Sequence, residues 1–204
     1  MLPKNKIAMQ IICYVTINLA LVAGNGDLQE QRKKKEYQVA TILKTSITKF
    51  FQHIFPQVPA SEHPHVTISP KIKDFGAINA LHSIRIPLNQ DTLENLEALE
   101  FLLLHEVGHL CRIYKNTKKD ELKADSFATK TATNQETCNA FIALTYRKEK
   151  EMWNKGFETD PSYPTSSERE ENIKKILQKN PLPATSENSL KNIILKQQHN
   201  STLS

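Results

Sequence analysis

The sequence predicts a mainly helical α+β fold, and three features carry that reading. Long stretches place apolar residues at three- and four-residue spacing, the pattern of helices that bury one face. A proline-punctuated stretch between residues 56 and 70 interrupts this pattern and leaves only short strand candidates around it, so the sheet is small. With 204 residues, 39% hydrophobic and 24% charged, the chain can build one well-buried core but has little room for a second.

At the N-terminus Lys4 and Lys6 precede a mostly apolar run, Ile7 to Ala23, with no acid among them. A basic flank followed by such a run reads as an export signal, with small Ala23 as the cleavage position after Leu21-Val22. Residues 1–23 are therefore set apart from the folded domain, and the expected location is periplasmic or secreted. A membrane anchor formed by residues 7–23 is the alternative, because about 17 apolar residues is the shortest bilayer span. The folded domain is expected over residues 27–179.

From Asp27 to Phe55 a helix is predicted, with Val39, Ile42, Leu43, Ile47, Phe50, Phe51 and Ile54 on one face. Its basic run, Arg32 to Lys35, reads as a solvated helix start, with contact to anionic lipid head groups as the alternative. Val66-Thr67-Ile68 and His82 to Ile86 are the strand candidates. Asp91 with Glu94 forms a capping box, and Leu93, Leu96, Leu99, Leu103, Val107 and Leu110 continue one helix to about residue 113. A turn over Lys115-Asn116-Thr117, with Thr117 as N-cap, opens a second helix. Residues 135–154 form another, with Cys138, Phe141, Ile142, Leu144, Tyr146 and Trp153 assigned to the core. Thr165 and Glu168 make a further capping box before a helix that buries Ile173, Ile176 and Leu177. Residues 180–204, polar and proline-bearing, are expected to be a flexible tail with at most a short helix at 189–198.

The net charge of +5 is spread along the chain without a basic stripe interleaved with aromatics, which argues against a nucleic-acid partner. Three cysteines without close pairing exclude a disulfide scaffold and a cysteine-based zinc ribbon. Whether Cys111 and Cys138 pair stays open. A metal site in this chain must use histidines and carboxylates.

Such a set stands on the fourth predicted element, as His105-Glu106-Val107-Gly108-His109. Residues four apart share a helix face, so both imidazoles can bind one Zn²⁺, while Glu106 leans toward the open position where a bound water needs a base. A catalytic zinc site takes a third protein ligand. An antiparallel second helix brings Glu121 back to the height of the histidines, and Asp125, one turn on, can accept a hydrogen bond from a ligand histidine. Asp120 points about 100° away from Glu121 and is the weaker candidate. His82 is next in line should none of these bind. For Arg169 the safer partner is a surface acid, with Asp125 as the alternative.

His105-Glu-Val-Gly-His109 followed by Glu121-Leu-Lys-Ala-Asp125-Ser-Phe-Ala resembles the HExxH and ExxAD motifs of the HtpX and CAAX-prenyl-protease family of zinc metallopeptidases. Asn79 to Ile86 is similar to that family's strand before the active-site helix, and Tyr163-Pro164-Thr165-Ser166-Ser167-Glu168-Arg169 is similar to its His-Pro-x-x-x-x-Arg element. The resemblance covers about residues 35–178 and implies a zincin-like core with a small sheet beside the active-site helix. It also implies one zinc ion held by His105, His109 and Glu121, with Glu106 catalytic. Tyr163 stands in place of the family's His, where a phenol can still donate a hydrogen bond. The transmembrane core of the larger relatives is missing. The spacing to Glu121 is closer to compact ImmA/IrrE-like metallopeptidases, which supply the alternative. The expected activity is that of an exported zinc endopeptidase acting on protein or peptide substrates. A non-catalytic zinc-containing protein at a membrane surface is the competing class.

Overall fold

The structure, a computed structural model, describes residues 26–73, 75–78, 82–111, 117–158 and 160–202. The expected export segment, residues 1–23, lies outside them. Among the described residues no helix is long and apolar enough to cross a membrane.

Helix α1 (Gly26–Ile54) follows the predicted 27–55 closely. Leu43, Ile47, Phe50 and Phe51 recur at helical spacing and are buried, whereas Tyr37 is 75% exposed, so only the C-terminal half of α1 meets the core. The sheet that follows has three strands, β1 (His65–Ser69), β2 (Gly76–Ile78) and β3 (Ser83–Pro87), in the order β1-β3-β2. β1 runs parallel to β3, pairing Val66 with Ile84 and Ile68 with Ile86, and β2 runs antiparallel with Gly76 opposite Arg85. Val66, Ile84 and Ile86 are buried on one face, while on the other Thr67 and Arg85 are exposed and Ser83 and Pro87 buried, so the second face is only partly open. Strand β2 was not expected, because three residues are too few to show that alternation. His82, predicted within β3, precedes it with a left-handed φ of 43°.

The helix predicted from residue 91 to about 113 is instead two, α2 (Gln90–Glu94) and α3 (Leu96–Leu110). Asn95 breaks it at φ −119°, ψ 43°, its side-chain amide donating to the Asp91 carbonyl in competition with the backbone. The Asp91–Glu94 box does not form. Asn89 caps α2 by accepting from the Thr92 N–H at 2.9 Å, and Asp91 is drawn to Arg147 and Lys148. Helix α3 closes at Cys111, whose N–H donates to the Val107 carbonyl; residues 112–116, with the expected turn, are outside the described set. Then come α4 (Lys118–Thr131), α5 (Gln135–Asn154), α6 (Ser166–Lys179) and α7 (Leu190–Thr202).

Helix α3 is the axis of the molecule, packed by α4, α5 and α7. Twelve of its fifteen residues are buried, Glu100, His105, Glu106 and His109 among them, so these polar side chains must find partners inside. Phe101 stacks on Phe141 of α5 with centroids 4.1 Å apart. Tyr146 and Trp153, assigned to the core by their spacing, are 42% and 66% exposed because the end of α5 runs past it. The expected tail is also part of the core: α7 packs on α1 and α3, with Leu190 and Ile194 at 0% and 1% exposure. Cys111 is exposed, Cys138 is buried, and both are free.

Glu100 anchors α7. Its carboxylate, 1% exposed, accepts from the Thr133 N–H and hydroxyl at 2.8 and 2.7 Å and from the Leu190 N–H at 2.9 Å. Burial raises its pKa, and these hydrogen bonds only partly oppose the shift. Glu100→Gln must turn an amide donor toward one of those N–H groups. It should lower unfolding stability by about 1–3 kcal/mol in a urea titration, with the slope unchanged.

Candidate metal centre

His105 and His109 stand one turn apart on α3, rings edge to face with centroids 4.5 Å apart and their Nε2 atoms separated by 2.9 Å. Glu121 of α4 reaches both, Oε2 lying 3.3 Å from His105 Nε2 and Oε1 lying 3.4 Å from His109 Nε2. All three side chains are buried, with one ligand atom from each within 4.8 Å of the others. Tetrahedral ligands about 2.0–2.1 Å from a zinc ion are separated by about 3.3–3.4 Å; each imidazole lies at that distance from a different Glu121 oxygen, while the two Nε2 atoms, 2.9 Å apart, would have to separate slightly around an ion. A buried His105, His109 and Glu121 group of this kind can hold a metal ion.

Glycine makes the approach of α4 possible. A Cβ built on Gly108 would lie 3.1 Å from the Ala124 Cα and 3.3 Å from the Phe127 Cβ. The backbones of α3 and α4 therefore meet where Gly108 has no side chain and Ala124 has only a methyl. Ala124 lies between Glu121 and Asp125, so this contact brings both acids to the histidines. Thr117 sets the phase of α4, its hydroxyl accepting from the Asp120 N–H as the N-cap. Asp120 turns to Thr117 Oγ1 and Lys123, at 2.8 and 3.1 Å, and does not belong to the cluster.

Asp125, fully buried, accepts from His105 Nδ1 at 2.8 Å. That bond fixes the tautomer and leaves Nε2 with a lone pair toward the cluster. Arg169, for which a surface acid was the first expectation and Asp125 the alternative, comes in from α6. Its Nη1 donates to both Asp125 oxygens at 2.7 and 2.8 Å, and its Nη2 to Glu121 Oε2 at 2.9 Å. The Thr165–Glu168 capping box forms as predicted, and Lys118 pairs with Glu168 at 2.6 Å, tying the first turns of α4 and α6 together and aiming Arg169 inward. The guanidinium lies 5.7 Å from the Phe141 ring, itself 6.4 Å from His105.

Glu106 is buried beside the two histidines. For His105, burial works against the charged ring. Hydrogen bonds to Asp125 and Glu121 and the charges of Asp125 and Glu106 outweigh it and hold the pKa up to about 9. The cluster thus draws positive charge, whether carried by a proton or by a metal cation that displaces it. Tyr163 stands outside the buried group, 42% exposed on the loop before α6. His82 is exposed, with Nε2 donating to the Glu62 carbonyl at 3.2 Å.

The chain matches no protein-family model, no curated protein and no solved structure.

Two substitutions test this construction. Gly108→Ala should cost about 1–3 kcal/mol by overpacking against the Ala124 backbone and should weaken zinc binding by moving Glu121, both readable from melts with and without zinc. Arg169→Met leaves two buried carboxylates without their cation and should destabilise the metal-free protein by about 3–5 kcal/mol, with added zinc recovering part of the loss.

Proposed function

We propose that this chain is a zinc-dependent endopeptidase, with His105, His109 and Glu121 holding the ion and Glu106 as general base. The observation that carries this reading is the buried convergence of two helix-borne imidazoles and one carboxylate, with a second, non-ligating carboxylate at the adjacent position on the same helix. Zinc in such a site supplies Lewis acidity toward a carbonyl and makes water acidic near neutral pH.

The protein's own groups do the rest. Asp125 holds the His105 ring with Nε2 turned inward, and Arg169 clamps both Asp125 and Glu121, so neither ligand has to reorganise as charge changes. Glu106 takes a proton from the water whose oxygen adds to the peptide carbonyl carbon. It returns that proton to the amine nitrogen as the carbon–nitrogen bond breaks. Glu106 is buried, so the proton it moves is handed over away from bulk water. The resemblance of the two motifs to HtpX and CAAX-prenyl proteases, or to compact ImmA/IrrE-like peptidases, supports the same chemistry.

The zinc-loaded chain should cleave an unfolded protein substrate such as casein, lose that activity with a chelator, and regain it with zinc. Glu106→Gln should retain zinc while turnover falls about 10²- to 10⁴-fold, because an amide accepts no proton. Near-native turnover by that variant would overturn the mechanism.

A further inference from the structure

Among the described residues, five of the seven exposed large hydrophobic side chains fall between residues 146 and 163: Tyr146, Met152, Trp153, Phe157 and Tyr163. Trp153 and Phe157 are 66% and 60% exposed. Tyr146 and Trp153, seven residues apart, share one face of α5, and Met152 and Phe157 flank its end; exposed aromatics and methionine concentrated along one stretch are the composition of a binding surface, whereas isolated exposed hydrophobics are ordinary.

The backbone on either side of residue 159 is hydrogen-bonded. Gly156 takes φ 78°, its N–H donating to the Trp153 carbonyl at 2.9 Å while the Phe157 N–H donates to the Met152 carbonyl at 3.0 Å, the closure that ends α5. Asp160 then holds the loop, its side chain accepting from the Ser162 N–H at 2.8 Å and its carbonyl from the Tyr163 N–H at 3.0 Å. A pre-ordered surface loses less entropy when a partner binds.

Its place in the fold points to the partner. The Tyr146 hydroxyl donates to Glu170 at 2.7 Å and the Ser166 N–H donates to Glu149 at 3.3 Å, so the outer turns of α5 lie along the start of α6, the helix that delivers Arg169 to the centre. Along α5, Trp153 lies about 18 Å beyond Phe141, the ring next to His105, and an extended peptide spans that in about five or six residues. Charge also discriminates. Arg147 and Lys148 are engaged by Asp91 and Glu151, and the remaining Lys150 and Lys155 are outnumbered by Glu149, Glu158 and Asp160. The surface therefore has no excess of positive charge to attract an anionic membrane, whereas a neutral apolar peptide needs none.

We infer that this surface is an exosite for an apolar, extended segment of the polypeptide substrate, lying a few residues from the bond to be cut. Its purpose rests on the peptidase reading; its binding does not.

Trp153 is the only tryptophan in the chain, so its fluorescence reports on this surface alone. The full-length zinc-loaded Glu106→Gln variant is titrated with a tryptophan-free peptide alternating Leu and Thr, and with a control carrying Ser for each Leu. A saturable blue shift with the Leu peptide only, weakened about tenfold or more by Phe157→Ser, supports the exosite. That remains so even if the wild-type chain proves to have no peptidase activity, which would remove only the catalytic reading. Absence of the shift, an equal shift with the Ser control, or indifference to Phe157→Ser overturns it. So does a shift produced by phosphatidylcholine or phosphatidylglycerol vesicles but not by peptide, which would indicate a membrane surface. A shift that follows protein concentration alone would indicate a second copy and would overturn it too.

Discussion

The separation of α3 and α4 at Gly108 is the constraint on which the rest of the site depends. A helix pair normally keeps its axes about 8–10 Å apart because side chains stand between them. Here the Ala124 backbone sits where a Gly108 side chain would be, and every distance in the cluster inherits that proximity. Glu121 precedes the contact by three residues and Asp125 follows it by one, so a single backbone approach sets both the carboxylate facing Nε2 of the two histidines and the carboxylate behind His105. The His-Glu-x-Gly-His spacing therefore has a packing role as well as a chemical one.

Electrostatics explains why the elements farther away are arranged as they are. Three buried carboxylates, Glu106, Glu121 and Asp125, act on His105, which is unfavourable without compensating cations. Arg169 supplies one permanent positive charge through three hydrogen bonds, and the raised pKa of His105 shows that the cluster still draws another. A divalent ion answers that demand without a proton on the ligand nitrogens. The 2.9 Å between the two Nε2 atoms is the span of an N–H···N hydrogen bond, and the proton it carries is one that a metal ion would displace. The capping box of α6, the Lys118–Glu168 pair and the Phe141 ring all act to deliver Arg169 to this place.

What the sequence disclosed follows from how local each determinant is. The two histidines, the Thr117 cap and the placement of Glu121 and Asp125 on one face depend on helical periodicity and a single turn, and these were legible. Arg169 was legible only as one of two alternatives, and its bond to Glu121 not at all, because its partners lie 44 and 48 positions back, beyond an intervening helix and loop. The break at Asn95 was hidden by an apolar rhythm that continues across it, and only its side-chain bond to Asp91 shows why the helix stops. Trp153 shows the opposite error, since its spacing matches the buried face of α5 but the helix outlasts the core. The C-terminal residues look polar in composition, yet Leu190 and Ile194 are enough to dock α7 once Glu100 accepts the Leu190 N–H.

The most direct test of the account is calorimetric titration of the metal-free chain with zinc, wild type against His109→Ala. The account predicts one zinc ion per chain in the wild type, accompanied by proton release from the His105–Asp125–Glu121 cluster, and loss of that binding in the variant. A wild-type chain that takes up no zinc, or a variant that binds as tightly as wild type, would contradict it.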